Sequence, residues 1–134
     1  AGIYITASHN PKEYNGFKMV AKNMEWIRGV ELFDTIKNLS VEIIGIKGEV
    51  KEGDILAPYV EHVLSFVDAN KIKPFKVVVD AGNGLAGKII PILTEGLPLN
   101  IVPLNFKLDG NFPAHPSNPL LPESQKEICE TVVK

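Results

Sequence analysis

Short blocks of apolar and polar residues alternate over the first forty positions. Residues 3–6 are β-branched and aromatic, which favours a strand, and residues 16–20, Gly-Phe-Lys-Met-Val, predict a second strand. The residues between them, 7–15, carry Ser, His, Asn and Pro, a composition typical of a loop. A short third strand is predicted at residues 24–27, and apolar positions near helical spacing predict a helix over residues 30–39.

The rest of the chain alternates between helical and strand patterns. Apolar positions at i, i+4, i+7 and i+8 from Tyr59 predict an amphipathic helix to about Asn70. The nearly continuous apolar run "FKVVVD", residues 75–80, is typical of a strand covered on both faces. The elements predicted after it are a helix, a strand and a last helix, over residues 85–94, over 100–104 and from about Pro122. This order predicts a parallel α/β layer.

A polar, glycine-containing segment, residues 46–54, separates the two patterns. We predict that it links the C-terminal part of one domain, residues 1–45, to part of a second domain, residues 55–134. The predicted fold class is α/β, with mixed and parallel sheet layers and helices. The sequence starts without a methionine and ends inside a predicted helix, so we expect a fragment of a longer protein.

Composition excludes several classes of function. A net charge of -2 leaves no basic stripe for nucleic acid, and no long apolar segment predicts a membrane span. Cys129 is the only cysteine, which excludes an internal disulfide and is compatible with a reducing compartment. We therefore expect a cytoplasmic protein without nucleic-acid or membrane partners.

Candidate chemistry is concentrated in the first loop. A serine hydroxyl is a poor nucleophile until it is activated, but a phosphorylated serine can give its phosphoryl group away. Ser8 lies at the apex of the loop, where Asn10 can fix the backbone through side-chain hydrogen bonds and Pro11 stiffens the exit. His9 and Lys18 are candidates for proton transfer or phosphate contact. On these residues alone, a simple turn after a strand is the competing interpretation.

Two segments carry a resemblance to a known family. The sequence "GIYITASHNPKEYNGFK", residues 2–18, resembles the active-site segment of the α-D-phosphohexomutases, the phosphoglucomutase/phosphomannomutase family. The signature of that family is Thr-Ala-Ser-His-Asn-Pro followed by Asn-Gly-Phe-Lys. The later segments "VVVDAGNGLAG" and "LDGNFPAHPSNPLLPES" resemble the start and middle of the family's second domain. The resemblance implies two partial phosphohexomutase-type domains, the end of domain I and the first part of domain II.

The resemblance also implies roles for residues. It makes Ser8 the phosphoserine, with His9 beside it and Lys18 as an acid/base or charge partner. It further implies a set of loop residues that serve the substrate or the phosphate, namely Thr6, Asn10 and Asn15. The implied partners are hexose 1-phosphates and 6-phosphates, interconverted through a glucose or mannose 1,6-bisphosphate.

The metal site is where the chain departs from the family pattern. The resemblance implies Mg²⁺ bound in part through the phosphate on Ser8, and Mg²⁺ prefers closely spaced oxygen ligands. The family's Asp-Gly-Asp-Gly-Asp-Arg loop is absent, and no two aspartates of this chain are spaced as Asp-x-Asp. We therefore expect the 134-residue chain alone to be catalytically inactive.

Two other interpretations stay open on the sequence. Residues 82–87, "GNGLAG", fit G-x-G-x-x-G after a strand, the context of a dinucleotide-binding Rossmann-type domain. Against this, the acidic residue expected at the end of the next strand is missing there, because Asp109 falls in the loop beyond it. The third interpretation is a non-catalytic α/β module that binds phosphate.

Overall fold

The computed structural model describes residues 1–40, 45 and 48–133 and divides into two units. Unit one contains residues 1–8 and 13–52, and unit two contains residues 9–12 and the chain from residue 53 onward. The linker predicted over residues 46–54 falls partly outside the described residues, at positions 46 and 47, and stays a prediction.

Unit one is built on an antiparallel sheet of three strands in the order β1-β2-β3. These strands are Gly2–Ile5, Phe17–Val20 and Trp26–Ile27, and helix α1, Gly29–Lys37, follows them. In the register of β1 and β2, Tyr4 lies opposite Lys18 and Ile5 opposite Phe17. The three predicted strands and the helix are therefore confirmed.

Unit two contains a parallel pair of strands with helices before, between and after them. Its elements are α2 Leu56–Leu64, a 3₁₀ turn Ala69–Lys71, β4 Phe75–Asp80, α3 Ala86–Leu93, β5 Leu99–Leu104 and α4 Pro122–Val132. Strands β4 and β5 run parallel, with Asp80 opposite Leu104. The predicted parallel layer is confirmed, and the carboxyl ends of both strands lie side by side.

Helix α2 ends earlier than its apolar spacing predicts. The pattern predicts a helix to about Asn70, but α2 ends at Leu64. The Ser65 hydroxyl donates to the carbonyl of His62 at 2.7 Å, and Phe66 N–H bonds to the carbonyl three residues back, that of Val63. These bonds satisfy the last carbonyls and close the helix.

Burial in the described residues is partial throughout. No hydrophobic residue among them is buried, and large apolar side chains such as Trp26 (68% exposed) and Phe66 (73% exposed) face solvent. The prediction that β4 is covered on both faces is wrong for these residues, because its first two positions are exposed and the other four are half-buried. Pairing with β5 covers an edge of the strand and not its faces, and among the described elements α4 is the helix that packs most closely on β4, so the faces are covered only in part.

Gly87 allows helix α3 to approach the chain that follows β5. A Cβ at this position would lie 2.7 Å from the carbonyl carbon and 2.8 Å from the Cα of Phe106, and it would contact the carbonyl oxygen as well. These are backbone atoms, which cannot turn away as a flexible side chain can. The glycine-rich turn therefore serves close packing of a helix on the strand end.

We expect Gly87→Ala to lower the free energy of unfolding by about 1–3 kcal/mol, because the added methyl group forces the backbone of α3 or of Phe106 to shift. Gly29→Ala is the matched control, since Gly29 also lies in the first turn of a helix and a Cβ there has no neighbour within 4 Å. Urea unfolding followed by circular dichroism measures the free energy of unfolding of both variants. Equal stability of the two variants would contradict the close packing of α3.

Candidate active site

The backbone of Ser8 is held in a left-handed conformation at the start of the serine loop, residues 6–16. The loop is closed at its base by a hydrogen bond of 3.0 Å from Thr6 N–H to the carbonyl of Gly16. Ser8 has a φ of 57°, which is uncommon for a residue with a side chain. Its N–H donates to the hydroxyl oxygen of Thr6 at 3.0 Å. Thr6 therefore orients the backbone of Ser8, whose residue surface is exposed.

The other predicted residues of unit one lie at different places. Asn15 is exposed in the loop just before β2. Lys18 lies on β2 and is exposed. It lines an open groove with Tyr4, Val20 and Trp26, among other residues. Lys18 and Tyr4 share a sheet face because they are opposite in register.

His9 and Asn10 belong to unit two, where their backbone is anchored. The hydroxyl of Ser117 donates to the carbonyl oxygens of His9 at 3.2 Å and of Asn10 at 3.1 Å. Two residues further on, the ammonium group of Lys12 donates to the side-chain oxygen of Asn111 at 2.9 Å. The segment that follows Ser8 is thus held by residues far away in the sequence.

Both anchoring residues lie in the β5–α4 loop, residues 105–121, which is organised around Asn83. Asn83 has a φ of 58° and is only 8% exposed. Its N–H donates to the carbonyl of Asn105 at 2.9 Å, and its carbonyl accepts from Asp109 N–H at 3.0 Å. Its side-chain amide donates to the carbonyl of Lys107 at 2.9 Å and accepts from Ala114 N–H at 3.2 Å. One residue in the turn between β4 and α3 therefore holds the loop at four points.

A histidine–aspartate pair fixes the loop further along. His115 Nε2 lies 3.1 Å from Asp80 Oδ2, and His115 Nδ1 lies 2.9 Å from the carbonyl oxygen of Pro116. Both partners are acceptors, so bonds from both ring nitrogens require the doubly protonated imidazolium. The bond to Pro116 and the carboxylate of Asp80 raise the pKa of His115, against an opposing effect of burial. Asp80 is itself oriented by Gly82 N–H, which donates to its other oxygen at 2.9 Å.

Asp109 orients the residue that meets Lys12. Its carboxylate accepts from the backbone N–H of Asn111 at 2.9 Å and from the side-chain amide of Asn111 at 3.0 Å. These hydrogen bonds lower the pKa of Asp109, which favours its ionised form. Because the amide nitrogen of Asn111 is bound in this way, its amide oxygen is left to accept from Lys12.

Neither a complete metal site nor a membrane span is found in the part of the chain that the structure describes. No group of three His, Cys, Asp or Glu residues there could hold a metal ion. Within residues 1–40, 45 and 48–133, no helix is long and apolar enough to cross a membrane.

Comparisons with protein families match both units. Residues 57–134 match the family described as phosphoglucomutase/phosphomannomutase, alpha/beta/alpha domain II. Residues 1–32 match the description phosphoglucomutase/phosphomannomutase, alpha/beta/alpha domain I. The G-x-G-x-x-G turn lies inside the first of these matches, and the dinucleotide-binding interpretation is not supported.

Individual relatives agree with the family match. The chain is 38% identical to a phosphomannomutase of Vibrio cholerae over 98% of its own length and 30% of the relative's. It is 36% identical to a phosphomannomutase/phosphoglucomutase of Pseudomonas aeruginosa, covering 98% of the chain and 28% of that protein. A crystal structure of a phosphoglucomutase/phosphomannomutase family protein from Burkholderia thailandensis matches with a TM-score of 0.73 at 32% identity, over 97% of the chain and 28% of that structure. The chain thus spans less than a third of these relatives.

We expect the stability contributed by His115 to fall as the pH rises. The folded-state pKa of His115 is raised above its ordinary value of 6.5, so the stabilisation is complete below that pH and is lost as the pH passes through the raised pKa. Urea unfolding measured from about pH 6 to pH 8.5 should show this decline in the wild type and a flatter profile in His115→Gln.

The matched control is His62→Gln, a substitution on the exposed part of α2. The free energy of unfolding of this variant should fall with rising pH as it does in the wild type. Parallel profiles of the wild type and His115→Gln would show that the imidazolium–Asp80 pair does not form.

Proposed function

Because the chain belongs to the phosphoglucomutase/phosphomannomutase family, we propose that it forms part of a phosphohexomutase in which Ser8 carries the phosphoryl group. The observation that carries the proposal is the geometry of Ser8. It is exposed, and its backbone is fixed by Thr6 in a left-handed conformation in the loop that follows β1. A serine that serves as a relay for phosphate needs both this access and this fixed position.

The proposed reaction proceeds in two transfers. In the first, phosphorylated Ser8 gives its phosphoryl group to a free hydroxyl of a hexose phosphate. The bond from phosphorus to the serine oxygen breaks, a bond to the sugar oxygen forms, and the sugar hydroxyl gives its proton to a base while the serine oxygen takes up a proton. In the second, the bond from the other phosphorus to its sugar oxygen breaks and a bond to the Ser8 oxygen forms. The Ser8 hydroxyl gives up its proton and the released sugar oxygen gains one, which leaves the hexose phosphate isomer. The net change moves phosphate between the 1- and 6-positions.

Side chains near Ser8 in sequence supply the proposed proton and charge chemistry. We assign proton transfer or phosphate contact to His9 and Lys18, because both are exposed and carry nitrogen groups suited to either task. We assign to Asn10 and Asn15 the shaping of the loop for substrate and phosphate. Phosphoryl transfer depends mostly on positioning and on charge neutralisation, which these roles provide.

We propose that Mg²⁺ binds in the longer protein of which this chain is a part. The described residues lack a group of three metal-ligating side chains, so this chain offers a phosphorylated Ser8 as one ligand and the remaining ligands come from other segments. Bound Mg²⁺ would neutralise phosphate charge. The longer protein is supported by relatives that the chain covers to only 28–30% and by the large apolar side chains that remain exposed.

Substrates and location complete the proposal. The names of the relatives, phosphomannomutase and phosphomannomutase/phosphoglucomutase, support hexose phosphates as substrates. We propose glucose or mannose 1,6-bisphosphate as the intermediate. We also propose a cytoplasmic location, where such phosphorylated sugars are found.

We expect Ser8→Ala in the full-length mutase to abolish turnover of glucose 1-phosphate and mannose 1-phosphate with Mg²⁺, by at least about a thousandfold, because the phosphoryl carrier is gone. Intact mass should show one phosphate on the wild type and none on Ser8→Ala. Ser40→Ala, which removes another exposed serine of unit one, should keep both the phosphate and the activity. Full turnover by Ser8→Ala would overturn the assignment.

The 134-residue chain alone should show no turnover under the same conditions, because the aspartate loop is absent from its sequence. Detectable turnover by the purified chain would refute this expectation. If the full-length protein carried no phosphate and had no mutase activity, the interpretation as a non-catalytic phosphate-binding module would take its place.

A further inference from the structure

We propose that Ser117 is a positioning residue for the phosphoryl carrier, and that its hydroxyl holds the backbone immediately after Ser8 in the geometry needed for transfer. This inference rests on the proposed function. The Ser117 hydroxyl acts through the main chain of residues 9 and 10, whose carbonyl oxygens it contacts.

The contact itself is specific in geometry. Two consecutive carbonyl oxygens, those of His9 and Asn10, converge on the single hydroxyl of Ser117 at 3.2 and 3.1 Å. A serine hydroxyl has one hydrogen to donate, so the two acceptors share it. The arrangement requires the backbone to turn between these two residues, and the hydroxyl therefore favours that turn over an extended path.

A second contact holds the same segment two residues further along. Lys12 donates to Asn111 at 2.9 Å, and Asn111 is held in turn by Asp109. The groups are exposed, so this contact alone contributes little. Together with Ser117 it fixes residues 9–12 at both ends.

Ser117 is itself rigidly placed. The carbonyl oxygen of the preceding residue, Pro116, accepts from His115 Nδ1 at 2.9 Å and from the Ser124 hydroxyl at 3.0 Å. Ser124 is only 5% exposed and lies in the first turn of α4, and His115 is tied to Asp80 at the end of β4. The backbone that presents the hydroxyl is thus fixed from a strand and from a helix, which makes the group preorganised.

Loss of the Ser117 contact is expected to lower the rate of phosphoryl transfer. Ser8 is held in a left-handed conformation from its N-terminal side by Thr6, and the next residue along the chain, His9, is held by Ser117. Loss of the Ser117 hydrogen bonds weakens the hold on the C-terminal side of Ser8, so that Ser8 populates other backbone conformations more often. Only the fraction of molecules with the serine correctly placed can transfer phosphate, so kcat falls while KM for the sugar phosphate changes little.

The test compares Ser117→Ala, Ser117→Thr and a matched control in the full-length mutase. The control is Ser65→Ala, since the Ser65 hydroxyl also donates to a carbonyl of unit two but does so at the end of α2. The first readout is amide hydrogen exchange in residues 6–16, and the second is the division of the kinetic effect between kcat and KM.

For Ser117→Ala we expect exchange of the Ser8 amide, which donates to the Thr6 hydroxyl, to accelerate about fivefold and kcat to fall about fivefold, as for loss of one hydrogen bond, with KM within about twofold. Ser117→Thr should restore both values, and Ser65→Ala should change neither. Unchanged exchange in Ser117→Ala would overturn the anchor. Faster exchange with unchanged kcat would overturn its role in catalysis.

These outcomes are separate from failure of the proposed function. If the wild-type protein showed no mutase turnover, the proposed function would fail and with it the catalytic role of Ser117. Hydrogen exchange would in that case still measure whether the contact of Ser117 with residues 9 and 10 exists.

Discussion

Four hydrogen bonds made by Asn83 organise the part of unit two that meets the segment after Ser8. Asparagine tolerates the left-handed φ of 58° better than most residues with a side chain. Its backbone and amide then bind four separate points of the β5–α4 loop, at residues 105, 107, 109 and 114. Because Asn83 is nearly buried, loss of a partner would leave a buried polar group unsatisfied, which is costly. The loop is therefore held at four points by a residue that lies outside its own sequence.

A chain of polar contacts leads from that residue to the serine loop. The carboxyl ends of the parallel strands β4 and β5 bring Asp80 and Asn105 together, at 3.2 Å between side chains. From there His115 fixes the backbone of Pro116, and Ser117 follows directly with its hydroxyl on the carbonyls of residues 9 and 10. The proposed catalysis thus depends on residues that act by holding the backbone after Ser8 in place, which is usual where chemistry is mostly positioning.

The sequence predicts the regular elements well because periodicity and β-branched composition are local signals. The parallel pair β4 and β5 and the helices of both units follow from such patterns, and Ser8 stands out through a contiguous motif. The early end of α2 is missed because it depends on a side-chain hydrogen bond from Ser65. The contact of Ser117 with residues 9 and 10 is out of reach for a further reason. It joins positions more than a hundred residues apart through backbone carbonyls. Because every residue has a backbone carbonyl, the sequence does not indicate which of them accepts this hydrogen bond.

The central structural claim is that the amide of Asn83 holds the β5–α4 loop. The variant Asn83→Gly tests it most directly, because glycine keeps the left-handed backbone and removes only the side chain. Amide exchange at Ala114, measured relative to the amides of β4 to correct for any global loss of stability, should accelerate in the variant, since Ala114 N–H loses its acceptor at 3.2 Å. Unchanged relative exchange at Ala114 would contradict the account.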